Sequence, residues 1–540
     1  MTSRLETVPR DVLQHIALQC AASAFEPPVE ILRLMLTRST LYHSLNTVAA
    51  PHLYAQIFVA KFDTSAPFRQ YRSTMTDSAL TAELTSRCRL LRRVRHMDFS
   101  SVGLLQDLWT ALWMVLESDG LNETHLSKCH FTDFILGIAH IWLRSTVPPT
   151  GADQTSDAKP LRETIVWLLS ENLPRSMILE MSKQDRDDLY SLIFPYIFSP
   201  NKKPESPALR ALSYPGPSIP INVRSENAHV YTYLRRQLPY LPDPSLAAIN
   251  LAYAIFEATP LKIPPHLPET RTTANASQRL GPTKEDYRNL GSYRTLLFSD
   301  SMAMSVGNGL PGEETSPGIL RSMLHDIEFG NVLSQPAAKG PSTASGVFAY
   351  KPGTMTGLWE GTYRTVPFPA SASQGIETRT VASMVIVKPL QCALTEFICE
   401  ETPSLEDDVL NTNICPTDYF DVRDVSELCL NGRKFRKFGP QWSTTLPQDP
   451  EPDKLLHDVL LLGETLVDHD QAWGAFRFSG QIHRDGRVVL KREPTDSGEW
   501  QGVWIFEGHL RFGKVVLGRW RITGAHGVFS LGKTHEKWKG

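Results

Sequence analysis

Asp468, His469 and Asp470 are the residues whose types come closest to chemistry, because two carboxylates beside an imidazole can hold a divalent metal or form an acid–base pair. No further ligand stands at useful spacing, and the triplet falls at the entry to a strand-like run. It is expected to be a solvated loop, with neither metal nor cofactor. The chain has no G-x-S-x-G elbow, phosphate-binding GxxxxGK[ST], GxGxxG after a strand, H-E-x-x-H or kinase triplet, so the expectation is a non-catalytic protein.

Seven cysteines, at 20, 88, 129, 392, 399, 415 and 429, are an odd and scattered set without a C-x-x-C pair. That argues against a zinc site and a disulfide framework and fits a reducing compartment, here cytoplasmic, nuclear or both. The 540 residues carry 55 basic and 58 acidic side chains, a net charge of -3, which lacks the excess that nucleic acid or an anionic membrane would attract. The run Arg87, Arg89, Arg92, Arg93 and Arg95 alternates with Leu90, Leu91 and Val94, so it reads as the wet face of an amphipathic helix. Arg433, Lys434, Arg436 and Lys437 read as a charged strand edge that blocks aggregation. No apolar run reaches the roughly 18 residues of a spanning helix, and neither a membrane nor a nucleic-acid partner is expected.

The elements around these residues change character along the chain. Val12, Leu13, Ile16 and Cys20 recur at helical spacing behind Pro9 and Asp11; Ile31, Leu32, Leu34, Met35 and Leu36 nearly encircle a second helix; Leu41, Leu45 and Val48 make a third stripe. Three such short helices bury too little to be comfortable alone and must pack on the rest of the chain, on a partner, or on both. From 64 to 260 the pattern stays helical, as at Leu105, Leu108, Trp109, Leu112, Trp113 and Leu116, with no fixed repeat. From 261 to 345 Pro, Gly, Ser and Thr dominate, predicting linker and surface loop.

From 346 to 535 the period becomes two. Val381, Ser383, Val385 and Val387 share one strand face, and Phe476, Phe478, Gly480 and Ile482 another. Trp504, Phe506, Gly508, Leu510 and Phe512 make a third, followed by Val516, Gly518, Trp520 and Ile522. Asn431-Gly432 and Asp485-Gly486 are tight-hairpin dipeptides. About eight strands in roughly 190 residues, with glycines inside them, favour a closed antiparallel barrel with Trp359, Trp473, Trp504 and Trp520 in its core. The fold class is therefore α+β multidomain: an N-terminal trihelical unit and an irregular helical region, then the barrel.

Two resemblances follow. The order L-x-x-V-P-x-D-V-L-x-x-I from Leu5 to Ile16, then ILRLML, SxLYxSL and PHLYAQIF, is similar to the F-box; LYAQIFVAKFD (Leu53–Asp63) resembles the end of that motif in fungal F-box proteins. The insertion CAASAFEPP is long, and Tyr42 stands where a tryptophan is frequent in the motif. The resemblance rests on Leu5, Val8, Pro9, Val12, Leu13 and Ile16, and implies docking on a Skp-like adaptor of a cullin ligase through exposed residues of segment 1–63, with Val8, Pro9 and Leu13 foremost and Leu32 and Leu36 joining them. TGLWEGTY (Thr356–Tyr363) resembles the G-x-W entry strand of lipocalin-like barrels, which gives Gly357, Trp359, Gly361 and Tyr363 a structural role at one closed end.

An F-box followed by such a barrel is similar to the F-box substrate receptors that bind cyclin D degrons. The resemblance implies a substrate-recognition subunit of a Skp-cullin-F-box ubiquitin ligase whose barrel binds a protein substrate. The alternative is a lipocalin-like barrel for a small apolar ligand, which bulky inward side chains such as Phe476, Phe478, Trp504 and Phe506 would exclude.

Overall fold

The computed structural model describes residues 8–21, 25, 27–71, 75–144, 158–197, 231–234, 236–238, 244–294, 321–325, 350–365, 386–399, 425–430, 433–439, 459–483, 486–495, 502–522 and 525–534. Leu5, Val381, Ser383, Val385, the Asn431-Gly432 dipeptide and Asp485 lie outside them. The chain divides into two compact units that are not collinear with it: Met1–Leu173, Val223–Pro242 and Asn308–Lys339 form one, Pro174–Asn222, Asp243–Gly307 and Gly340–Gly540 the other. The helical stretch expected over 64–260 is thus shared between them, and the N-terminal 63 residues cluster with the helices that follow.

In the first unit, α1 (Arg10–Ala21) buries Leu13, Ala17 and Ala21, a single stripe at four-residue spacing. α2 (Val29–Thr37) buries only Ile31, and α3 (Ser39–Leu45) buries Leu41 and Leu45. α4 (Pro51–Lys61) opens on a first-turn proline, which needs no N–H partner, and is buried nearly all round. The Tyr54 hydroxyl donates to the Leu45 carbonyl at 2.7 Å and ties α4 to the end of α3.

α5 (Ser65–Tyr71), α6 (Asp77–Arg95), α7 (Leu104–Leu116), α8 (Leu121–Lys128), α9 (Phe131–Arg144) and α10 (Ala158–Asn172) are the other α-helices of this unit among the described residues. A hairpin of β1 (Tyr231–Tyr233) and β2 (Arg236–Leu238) and a 3-10 turn at Arg321–His325 join them. α7 is buried nearly all round because it is central: Trp109 and Trp113 are both buried, and Trp113 stacks on Tyr233 with centroids 4.3 Å apart.

The arginine run is a wet face only in part. Arg87 is fully buried, its Nη2 pairing with Glu117 Oε2 at 2.5 Å and its Nη1 donating to Asn122 Oδ1 at 3.2 Å, with the guanidinium over the Phe58 ring at 4.7 Å. Arg89 and Arg93 each donate through Nε to the buried carboxylate of Asp107, at 2.7 and 2.6 Å. The run therefore neutralises two buried acids of unit one, and Arg89, Arg92 and Arg95 are its exposed members.

The second unit contains α11 (Arg175–Glu180), α12 (Lys183–Ile197), α13 (Ser245–Glu257), α14 (Arg271–Ala276), α15 (Lys284–Ser292) and α16 (Val467–Trp473). Its strands are β3 (Gly357–Thr365), β4 (Ile386–Cys399), β5 (Glu427–Leu430), β6 (Arg433–Lys437), β7 (Val459–Glu464), β8 (Phe476–Ile482), β9 (Arg487–Pro494), β10 (Trp504–Arg511), β11 (Val515–Ile522) and β12 (Ala525–Lys533). α14 and α15 fall in the stretch expected to be loop. Thr283 and Asp286 form a reciprocal capping box at the start of α15, enough to nucleate a helix in Pro- and Gly-rich surroundings.

The sheet runs β3-β12-β11-β10-β9-β8-β7-β4, and β4 pairs back onto β3, closing an eight-stranded antiparallel barrel. β6 and then β5 continue from β4 and cover a second small core around Phe397, Leu428, Phe435 and Leu460. Lys434 and Arg436 of β6 both pair with Glu427 of β5. Glycine is required where strands cross closely: a Cβ on Gly361 would run into the Ser530 carbonyl oxygen of neighbouring β12. α13 lies along the outer face of β3 and β12, its Tyr253 hydroxyl 2.9 Å from the Thr362 carbonyl and 3.0 Å from that of Val528. The Arg364 guanidinium sits over the rings of Tyr253 and Phe256.

Candidate functional site

One end of the barrel is built by the TGLWEGTY segment. Trp359 is fully buried and its indole Nε1 donates to the Met355 carbonyl at 2.8 Å, while the Lys533 ammonium donates to the Thr354 carbonyl at 2.6 Å and lies 5.9 Å from the Trp359 ring. The fully buried Glu396 accepts the N–H groups of Gly353 at 2.6 Å and Thr356 at 2.8 Å. Gly357 takes a φ of +133°, a conformation open to glycine, just before the tryptophan turns inward. These groups find their partners inside the protein, so the segment plugs this end. Gly361 serves strand crossing, and Tyr363 points into the core further along the same strand.

The middle of the barrel is filled. Phe476, Phe478, Ile482, Leu490, Phe506, Trp520 and Phe529 pack into one cluster with Trp359. Trp473 is not among them: it lies on α16 and meets Tyr287 edge-on at 5.2 Å, because the strand expected there is preceded by a helix.

The opposite end differs. β9 alternates Val488, Leu490 and Arg492 toward the interior, so the last inward position holds a cation. Arg492 is 4% exposed, and its guanidinium carbon lies 3.4 Å from the Phe476 ring centroid, 5.2 Å from Trp504 and 5.4 Å from Tyr363. Its Nε and Nη1 have no hydrogen-bond partner, and no carboxylate among the described residues pairs with it. Burial lowers its affinity for the proton, and Tyr363 counters that. Trp504, Ile522 and Ala525, half-buried, rim this end.

His469 is also near this end. It is buried on α16 and not in a solvated loop, and burial together with the Arg492 charge pushes its pKa down to about 4. Asp468 and Asp470 are exposed, and no group of metal-ligating side chains forms among the described residues. The described cysteines are all free thiols, with Cys392 buried near Arg492.

The N-terminal helices present the other notable surface. Val8 is half-buried, Pro9 and Val12 are exposed, Ile16 is half-buried, and Leu32 and Leu36 are 51% and 76% exposed. Leu13 belongs instead to the core of its own unit, since the α1 stripe directs it inward with Ala17 and Ala21. Val29, Leu32 and Leu36 recur at three- and four-residue spacing, so α2 turns an apolar face outward while burying only Ile31. Helix periodicity predicts that α2 needs cover on more than one side, but not which side stays uncovered.

These features define an α+β protein with a closed, packed antiparallel barrel and a separate helical unit that carries an apolar outer face. Comparison of the chain with protein-family models, curated proteins and solved structures returns no match. No helix among the described residues is long and apolar enough to cross a membrane.

Proposed function

We propose that this chain is a substrate-recognition subunit of a Skp-cullin-F-box ubiquitin ligase. The N-terminal helices dock on a Skp-like adaptor, and the barrel unit engages a protein substrate. The observation that carries the reading is α2, nine residues long, on which Ile31 alone is buried. An apolar helix left open on the face of Val29, Leu32 and Leu36 is a surface that a protein partner covers. The F-box-like order of residues Leu5 to Asp63 gives that partner its class.

The alternative of a barrel hollow enough for an apolar ligand is disfavoured by the aromatic cluster that fills the interior. Under the ligase reading the chain performs no chemistry: it raises the local concentration of substrate lysines near a charged conjugating enzyme.

Co-purification of the full chain with the adaptor and a cullin tests the proposal. Wild-type protein is expected to retain both, and the pair Leu32→Asp with Leu36→Asp, at positions already exposed to solvent, to lose both with its melting temperature unchanged. A wild-type chain that retains neither would sink the reading. Leu13 is unsuited to the test because its replacement disturbs the core.

A further inference from the structure

We propose that the buried carboxylates of Asp63, Glu83 and Glu117 hold one proton between them, so that the joint tying the N-terminal helices to the rest of the helical unit loosens as the medium turns from neutral to mildly alkaline. The three acids gather around one guanidinium, that of Arg87. Glu117, at the end of α7, is fully buried: its Oε2 takes Arg87 Nη2, and its Oε1 accepts no hydrogen bond. Glu83 stands one turn before Arg87 on α6 and accepts the Leu234 N–H, just behind β1, at 3.3 Å. Asp63 lies two residues past α4; its Oδ2 accepts the Asn122 N–H at 2.8 Å, and its own N–H donates to Asn122 Oδ1 at 3.2 Å. Asn122 Oδ1 also receives Arg87 Nη1, so one amide links the end of α4 to α6 and α8.

Cations are fewer here than acids. Arg87 and Lys61 are the buried ones, and the Lys61 charge bears on His125 and Cys88. His125 is neutral above about pH 4. Asp119 adds a negative charge beside Asp63 and is itself satisfied by the Ser322 N–H and hydroxyl, at 2.8 and 3.1 Å; Arg69 of α5 reaches the same serine at 3.1 Å. Three buried acids against two buried cations leave one negative charge unmatched, and an interior of low dielectric sheds such a charge by taking up a proton. Glu117 is the main holder: burial pushes its pKa up to about 8, Glu83 and Asp63 add to the shift, and Arg87 opposes it. Because the acids interact, the proton belongs to the cluster and not to one oxygen.

The direction of the response follows. An unfolded glutamate ionises near its ordinary 4.5, so between 4.5 and about 8 the closed joint keeps a proton that the opened chain lacks, and each rise in pH favours opening. Above about pH 6.5 His125 is neutral in both states, and opened thiols at Cys88 and Cys129 ionise only near about pH 8.5. The interval from 6.5 to 8 therefore reads the carboxyl cluster. None of this depends on adaptor docking, and the test uses no adaptor.

Hydrogen exchange of the full-length protein, followed peptide by peptide and corrected for the intrinsic rate at each pH, reads the opening of α7 and α8 with β10–β12 as the reference. Between about pH 6.5 and 8 the opening constant of α7 and α8 is expected to rise about tenfold or more, the ceiling for one proton being about tenfold per pH unit. Glu117→Gln keeps the shape of the protonated side chain and cannot ionise; it is expected to fold and to abolish the rise. A wild-type rise of less than about twofold overturns the proposal with no variant needed. So does a Glu117→Gln protein that keeps the wild-type slope, or one whose helical unit is unprotected at both pH values, since a side chain that carries a proton tolerates the amide.

Discussion

Glu396 holds the backbone of Thr356 through a carboxylate oxygen 2.8 Å from its N–H, and the Thr356 hydroxyl in turn lies 3.3 Å from the Glu396 N–H. Strand β4 thereby clasps the entry to β3 from inside the protein, with Gly353 taken by the second carboxylate oxygen. Leaving a buried hydrogen-bonding group without its partner costs about 1–3 kcal/mol. Glu396→Ala is expected to cost about 3 kcal/mol in the barrel unit and Glu396→Gln roughly half, since the amide keeps one acceptor. Urea unfolding followed by tryptophan fluorescence measures both; an unaffected Glu396→Ala protein would show that the clasp is dispensable.

Arg87 and Glu117 make the corresponding test in the helical unit. Burial pushes the Glu117 carboxyl up and Arg87 pulls it back, so each depends on the other. Arg87→Met is expected to destabilise by about 3–5 kcal/mol, and the double change Arg87→Met with Glu117→Leu to recover most of it. A double-mutant cycle in urea decides this, and additive losses would count against the coupling.

Barrel closure depends on Gly361. Gly361→Ala places a methyl group against the Ser530 carbonyl and forces β3 and β12 apart, at an expected cost of about 3 kcal/mol. Hydrogen exchange should show lost protection in both strands; protection equal to wild type would contradict the crossing geometry.

His469 predicts an acid limb. Its folded pKa of about 4 lies below the ordinary 6.5, so the unfolded chain takes up the proton first as pH falls. The stabilisation is complete above about pH 6.5 and is lost progressively toward pH 4, roughly 2–3 kcal/mol in all. His125, lowered to about 4 by burial although its hydrogen bond to the Lys61 carbonyl opposes the shift, adds to the same window in the helical unit. Urea midpoints between pH 7 and 4.5 measure the limb. His469→Gln should flatten it for the barrel unit, and a slope unchanged by that substitution would place the proton elsewhere.

Much of the barrel was legible because period-two alternation is a local property. Phe476, Phe478 and Ile482, or Val516 and Trp520, needed no neighbour to declare their inward face. Trp473 misled because the same composition flanks a short helix, and His469 misled because its cover lies on other elements. The alternation that places Val488 and Leu490 inside also places Arg492 there. The Thr283 to Asp286 cap was likewise visible. What a single sequence could not disclose was pairing at a distance: Arg87 with Glu117, Arg93 with Asp107, and the choice of which α2 face stays bare. At the N-terminus, spacing marked α1 correctly but did not separate Leu13, inside, from Val12, outside.

The contact of Tyr253 with the carbonyls of Thr362 and Val528 bears on how such a chain can be inherited. The barrel strands begin at Gly357, yet the helix that lines two of them is encoded more than a hundred positions earlier, with α11 and α12 in the same compact body. A genetic exchange with its breakpoint just ahead of the first barrel strand would deliver a ring of strands stripped of its outer wall. The smallest heritable cassette starts at Pro174 and has to bring the insert at Val223–Pro242, which belongs to the other unit, along with it. Interleaved in this way, the two units can diverge in place but cannot be traded separately.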